Sequence, residues 1–130
     1  MLLELGPFHL EIKRIPATGS GLPELLFLHE GLGSVDLWKT FPEQLAQATG
    51  CGAWIYSRLG HGKSSPRQEA HEPDFMHREA TEVLPRLRDK LGLENPVLVG
   101  HSDGASIALI HGYSLNFSNI NERSHWFPAS

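Results

Sequence analysis

The residues Gly100-His101-Ser102-Asp103-Gly104 match the pattern G-x-S-x-G, in which a serine hydroxyl can act as a nucleophile toward a carbonyl carbon. Five residues are a short match, so their setting decides. The apolar run Val97-Leu98-Val99 precedes them and a helix is expected to begin near Asp103, which together make a sharp strand-to-helix turn, the nucleophile elbow. Such a turn is strained and leaves no room for bulk. Gly100 and Gly104 let the backbone pass close to its neighbours, and His101 takes the variable position. The helix that follows aims its first amides at the serine, so its partial positive charge and the N–H of Asp103 would stabilise an oxyanion forming on a substrate carbonyl.

A second oxyanion donor is expected after an earlier buried strand. His29-Glu30-Gly31-Leu32-Gly33-Ser34 follows Leu25-Leu26-Phe27-Leu28 directly and is rich in glycine, so the N–H of Gly31 or Leu32 is the candidate. Each such donor is typically worth about 3 kcal/mol of transition-state stabilisation. A serine nucleophile also needs a base and an acid. His111 lies nine residues past Ser102, about half a turn out of phase on the helix, and faces away. His101 reads as a packing residue, and Glu122 and His125 would have to fold back from the end of the chain.

Other chemistry is set aside on spacing. Gly62-Lys63-Ser64 ends like a phosphate-binding loop, but Ser57 stands where its first glycine should be and Ser65-Pro66-Arg67 replaces the helix that should open there. Eight histidines give no metal-ligand spacing: His29-Glu30 has no second histidine at helical distance, and His71 and His77 straddle Pro73. No metal and no cofactor are implied. The lone Cys51 sits among glycine and alanine ahead of a buried strand and reads as a structural thiol in a reducing, cytoplasmic setting.

The elements that must hold these residues follow from periodicity. Residues 8–15, FHLEIKRI, alternate as a half-exposed, edge-type strand, while 25–28, 53–56 and 97–99 are continuous apolar runs of the kind buried on both faces of a parallel sheet. Trp38, Phe41, Leu45 and Ala48 mark an amphipathic helix from Asp36 to Gly50, with Pro42 against it. Met76, Ala80, Val83, Leu84, Leu87 and Leu91 mark another over 75–91, kinked at Pro85 and capped by Gly92. The elbow helix runs through Ile110. Strands alternating with helices predict an α/β fold with a mostly parallel sheet and right-handed crossovers.

Composition narrows the function classes. The chain has 130 residues, 40% hydrophobic and 20% charged, enough for a core without disulfides. Its net charge is −4, with 11 basic residues scattered against 15 acidic ones, so no nucleic acid is implied. No apolar run approaches the ~18 residues of a membrane helix, and the start of the chain lacks a basic, signal-like region, so no membrane partner is expected.

Three blocks, LLFLHEGLGS, YSRLGHGKS and LVGHSDGASIAL, resemble in order and spacing the N-terminal half of the α/β-hydrolase superfamily, of the esterase and carbon–carbon-bond hydrolase type. The resemblance covers about residues 8–111. It implies Ser102 as nucleophile, with Gly31 or Leu32 and Asp103 forming the oxyanion hole. Two departures stand out: Glu30 occupies a position where many members have glycine, and Tyr56 one at or near which they have aspartate. The resemblance implies a serine hydrolase acting on a small ester, thioester or related carbonyl compound. The alternative is an inactive fragment or an interaction module, because only 28 residues follow Ser102 and a strand–helix–strand unit takes about 30 or more. Residues 1–111 are thus expected to form the first part of the domain, truncated after the elbow helix, and 112–130 an irregular tail. In that arrangement Val97, Leu98 and Val99 form an unpaired edge, open to self-association.

Overall fold

Alternation within the buried runs divides the core between two faces of one sheet. Leu26, Leu28, Tyr56 and Leu98 point to one side, where they pack with Leu84, Leu87, Ile107 and Ala108. Leu25, Phe27, Ile55, Val97 and Val99 point to the other, against Ala46, Val35 and Cys51. A short run covered on both faces must be apolar at every position. Each large side chain so removed from water contributes about 1.5–3 kcal/mol.

The structure, a computed structural model, describes residues 1–31, 33–66, 75–118 and 125–129, the last segment and residues 113–118 as backbone alone. Six strands, β1 (Leu2–Leu5), β2 (Phe8–Ile15), β3 (Leu25–Leu28), β4 (Ala53–Tyr56), β5 (Val97–His101) and β6 (His125–Ala129), form a sheet of order β1-β2-β4-β3-β5-β6. The pairs β1·β2 and β2·β4 are antiparallel, and β4·β3, β3·β5 and β5·β6 are parallel. The helices are α1 (Phe41–Thr49), α2 (Phe75–Arg78), α3 (Leu84–Leu91) and α4 (Asp103–Ser118). The expected α/β class and mostly parallel sheet are therefore found. No helix among the described residues is long and apolar enough to cross a membrane.

Pro42 sits in a first turn, where the missing N–H has no partner to lose, whereas Pro85 follows directly on helical residues. Pro42 opens α1, and the helix expected from Asp36 is broken ahead of it: a 3-10 turn at Asp36–Trp38 ends on Lys39 at φ 55°. Pro85 opens α3, and the expected kink is taken up by a π-helical turn at Glu79–Val83. That turn carries the buried Glu79 to the phenol of Tyr56, which donates to it at 3.0 Å. Gly92 caps α3 in the left-handed conformation, as expected.

Three expectations are corrected. Within 112–130 the described residues are regular and not an irregular tail, since α4 continues to Ser118 and β6 forms a sixth strand at His125–Ala129. Asn and Ser made the segment read as loop, but those are weak preferences that tertiary pairing overrides. Val97, Leu98 and Val99 are consequently not an unpaired edge: they pair in parallel with His125, Trp126 and Phe127 of β6. Pro128 lies in that strand, as a residue lacking an N–H can at a sheet edge. Finally, β2 is not an edge strand, because β1, two residues upstream across a turn, covers it.

Candidate active site

Ser102 stands where β5 hands over to α4, with an exposed side chain and a left-handed backbone at φ 53°. Serine rarely adopts that conformation, which costs on the order of 1–2 kcal/mol, and the turn around it enforces it. A Cβ on Gly100 would lie 2.6 Å from the Ala105 Cα, and one on Gly104 2.6 Å from the carbonyl carbon of Leu28. The elbow helix thus rides directly on β5 and β3. The amides of Ala105 and Ser106 donate to the Ser102 carbonyl at 2.9 and 3.2 Å, closing the first turn of α4. Asp103 begins that helix, and its N–H is one of the amides with no partner inside it.

The loop after β3 meets the elbow. A Cβ on Gly31 would lie 2.6 Å from Asp103 Oδ2, so the two expected oxyanion segments adjoin. Leu32, the other candidate donor, lies outside the described residues. The carbonyl of Glu30 accepts from the Gly33 amide at 3.0 Å, from His29 Nδ1 at 2.5 Å and from Arg58 Nη2 at 3.2 Å. In a trans peptide the N–H lies opposite the C=O, so the Gly31 amide points away from this hub. The Gly31 carbonyl accepts from His61 Nε2 at 2.8 Å.

Composition and spacing did not single out Arg58, yet it organises this region. Its side chain is fully buried, its backbone N–H donates to His29 Nε2 at 2.8 Å, and its guanidinium lies 3.9 Å from Asp103 Oδ2. Among the described residues its Nε and Nη1 have no hydrogen-bond partner. The signal available was position alone, two residues past a buried strand. Further along that loop the GKS that imitates a phosphate loop is tied to β2: Ser64 Oγ accepts from the Glu11 amide and donates to the Ser57 carbonyl. Glu11 in turn accepts from Ser57 Oγ at 2.7 Å.

His29 and His111 are not free bases. Burial pushes His29 down to about 3, with the nearby Arg58 charge adding to the effect, and both its ring nitrogens are engaged. His111 is held at about 4 by burial and bonds the Ala80 carbonyl and Arg88, on the helix-packed side, as its phase from Ser102 requires. His101 is half-exposed beside Ser102, 3.8 Å from the Glu30 carboxylate and 6.3 Å from the Trp38 ring, so it faces a cleft rather than packing in the core. Glu122 falls outside the described residues. His125 pairs with Val97, at the opposite end of β5 from the elbow and roughly 13 Å along the strand, which removes it as a base for Ser102.

A cleft of about 330 Å³ opens next to the elbow, lined by Glu30, Ser34, Leu37, Trp38, Phe41 and His101 among others. A larger one of about 540 Å³, between Arg88, Leu93 and His111, contains no elbow residue and is remote from this chemistry.

Residues 23–111 match the family model described as the alpha/beta hydrolase fold. The chain is 32% identical over 98 residues to a proline iminopeptidase of Lactobacillus delbrueckii subsp. lactis, covering 75% of this chain and 33% of that protein. It is 33% identical over 89 residues to the sn-1-specific diacylglycerol lipase ABHD11 of Mus musculus, covering 68% and 27%. The solved proline iminopeptidase of Mycobacterium smegmatis superposes with a TM-score of 0.74 over 88% of this chain and 39% of that one, at 19% identity, a likeness of fold. The chain spans about a third of the length of the curated relatives it matches.

Proposed function

Because the chain belongs to the α/β-hydrolase fold family, we propose that it carries the nucleophile half of a serine hydrolase acting on a small ester, thioester or related carbonyl compound. The observation that carries this reading is the backbone of Ser102: a non-glycine residue held left-handed and exposed at the top of a buried strand, ahead of a 16-residue helix. Strain of this kind survives only where the surroundings impose it.

In this reading Ser102 Oγ forms a bond to the substrate carbonyl carbon and gives its proton to a base, while the carbonyl π pair moves onto oxygen. The amides of Asp103 and Gly31 receive that charge, with Leu32 as the alternative donor in the loop. The α4 N-terminus and the buried Arg58 add positive potential from behind. Relatives named as a peptidase and a lipase fit a carbonyl substrate and leave the class of bond open. A reducing, cytoplasmic setting belongs to the same proposal, since Cys51 is buried and unbridged.

A second reading, an inactive or interaction module, is favoured by one fact: His101, the histidine beside Ser102, meets the Glu30 carboxylate only at 3.8 Å, beyond hydrogen-bond reach, and the rings of His29 and His111 are engaged elsewhere. Incubating the 130-residue chain with a fluorophosphonate and mapping adducts by mass spectrometry separates the two. The catalytic reading expects one adduct, on Ser102 and absent from Ser102→Ala. A folded chain that takes no label at Ser102 supports the module instead.

A further inference from the structure

Resting on the nucleophile reading above, we propose that Glu11, on β2, is a positioning residue for the oxyanion site: its carboxylate braces the loop after β4, and that loop clamps the segment 29–35 that carries the Gly31 amide. Glu11 acts through Ser57 and not on the substrate.

The clamp consists of four hydrogen bonds from one loop. Arg58 holds His29 Nε2 through its backbone N–H at 2.8 Å and the Glu30 carbonyl through Nη2 at 3.2 Å. His61 Nε2 donates to the Gly31 carbonyl at 2.8 Å. At the far end, the Val35 amide donates to Ser57 Oγ at 2.9 Å. Ser57, Arg58 and His61 thus grip both ends and the middle of the segment. A carbonyl held in place fixes the N–H across its own peptide plane, so this loop sets the direction of the Gly31 amide.

Glu11 braces this loop on both sides of Arg58 and His61. A hydroxyl has one hydrogen, and because the Val35 amide donates to the Ser57 oxygen, that hydrogen goes to Glu11 Oε1 at 2.7 Å. The same carboxylate oxygen accepts from the Lys63 amide at 3.2 Å. Both Glu11 and Ser57 are buried, where a carboxylate is tolerated only if donors surround it and where its hydrogen bonds are stronger than neutral ones. Gly62 shows how closely the loop is wrapped around this pair. It takes φ 51°, and a Cβ on it would lie 2.6 Å from Ser57 Oγ and closer still to Glu11 Oε1. An apolar pair would fill the same volume without burying a charge, but it would leave the Val35 amide without its acceptor.

Fluorophosphonate labelling of Ser102, followed over a range of probe concentrations, separates the maximal rate from the half-saturating concentration. Glu11→Ala and Ser57→Ala are expected to lower the maximal rate by about tenfold or more with half-saturation unchanged, because a misplaced donor costs rate and not probe binding. Glu11→Gln keeps an oxygen acceptor for both donors and is expected to retain most of the rate. Val83→Ala, which thins the core and removes no side-chain hydrogen bond, is expected to label as the parent does. Amide hydrogen exchange at Val35 reads the tie without any reaction: protected in the parent and Glu11→Gln, faster in Ser57→Ala and Glu11→Ala. Parent-like labelling in Glu11→Ala, equal slowing in Val83→Ala or Glu11→Gln, or unchanged Val35 protection in Ser57→Ala overturns the positioning role. A parent chain that takes no label at Ser102 fails the nucleophile reading instead, and there the Val35 exchange alone decides the tie.

Discussion

Ser102 is held in a conformation its own side chain disfavours, and that gives the residue a measurable signature apart from reactivity. Glycine takes φ 53° without steric cost, so Ser102→Gly is expected to raise stability by about 0.5–1 kcal/mol, net of the freedom glycine adds to the unfolded chain. Ser102→Ala retains the strain and stays near the parent. A denaturant midpoint that does not rise for the glycine variant would remove the strain from the account. The serine and its flanking glycines were legible from the motif and its setting. Arg58 was not, because an arginine after a strand is ordinarily solvated, and only the folded loop buries it against Glu30 and Asp103. His101 was misread for the converse reason: at the rim of a cleft a histidine next to the nucleophile has no core to enter.

At the scale of the elements, the elbow depends on α4 lying almost in contact with β3. Gly104→Ala would push a methyl into the Leu28 carbonyl, and Gly100→Ala into the first turn of α4, both meeting backbone that has nowhere to go. Each is expected to cost about 1–3 kcal/mol or more, seen as a lowered thermal midpoint, and to slow labelling of Ser102 as the turn shifts. Full stability in Gly104→Ala would contradict the close approach. Strands β3, β4 and β5 were readable because burial on both faces demands unbroken apolar runs. Their helices were readable in phase but not in boundary, since where Pro42 and Pro85 fall depends on how a 3-10 or π turn absorbs the extra residues.

For the whole molecule, two consequences follow. The first is linkage: His29 and His111 are neutral in the folded chain down to about pH 3 and 4, whereas their ordinary value is 6.5. Unfolding therefore takes up protons below about pH 6.5, and stability is full above that and declines as pH falls toward 4. The slope is up to about 1.4 kcal/mol per pH unit for each histidine, and His111→Gln should reduce it. A flat stability profile from pH 7 to 4.5 would contradict the buried neutral state of both rings. The second concerns the sheet edge. A chain ending at residue 118 lacks β6 and exposes the paired flank of Val97–His101, so it should self-associate more than the full chain by light scattering. This strand was illegible in the sequence, because two aromatics beside a proline are too short a signal and the partner that orders them lies 28 residues upstream.

The central claim is that Ser102 and the amides of the adjoining segments form one reactive centre. A crystal structure of the phosphonylated chain tests it most directly. The expected result is phosphorus bonded to Ser102 Oγ, with the phosphoryl oxygen about 2.7–3.1 Å from the Asp103 amide and from an amide of the Gly31–Leu32 segment. An adduct on another residue, or a phosphoryl oxygen turned to solvent and away from both amides, would contradict it.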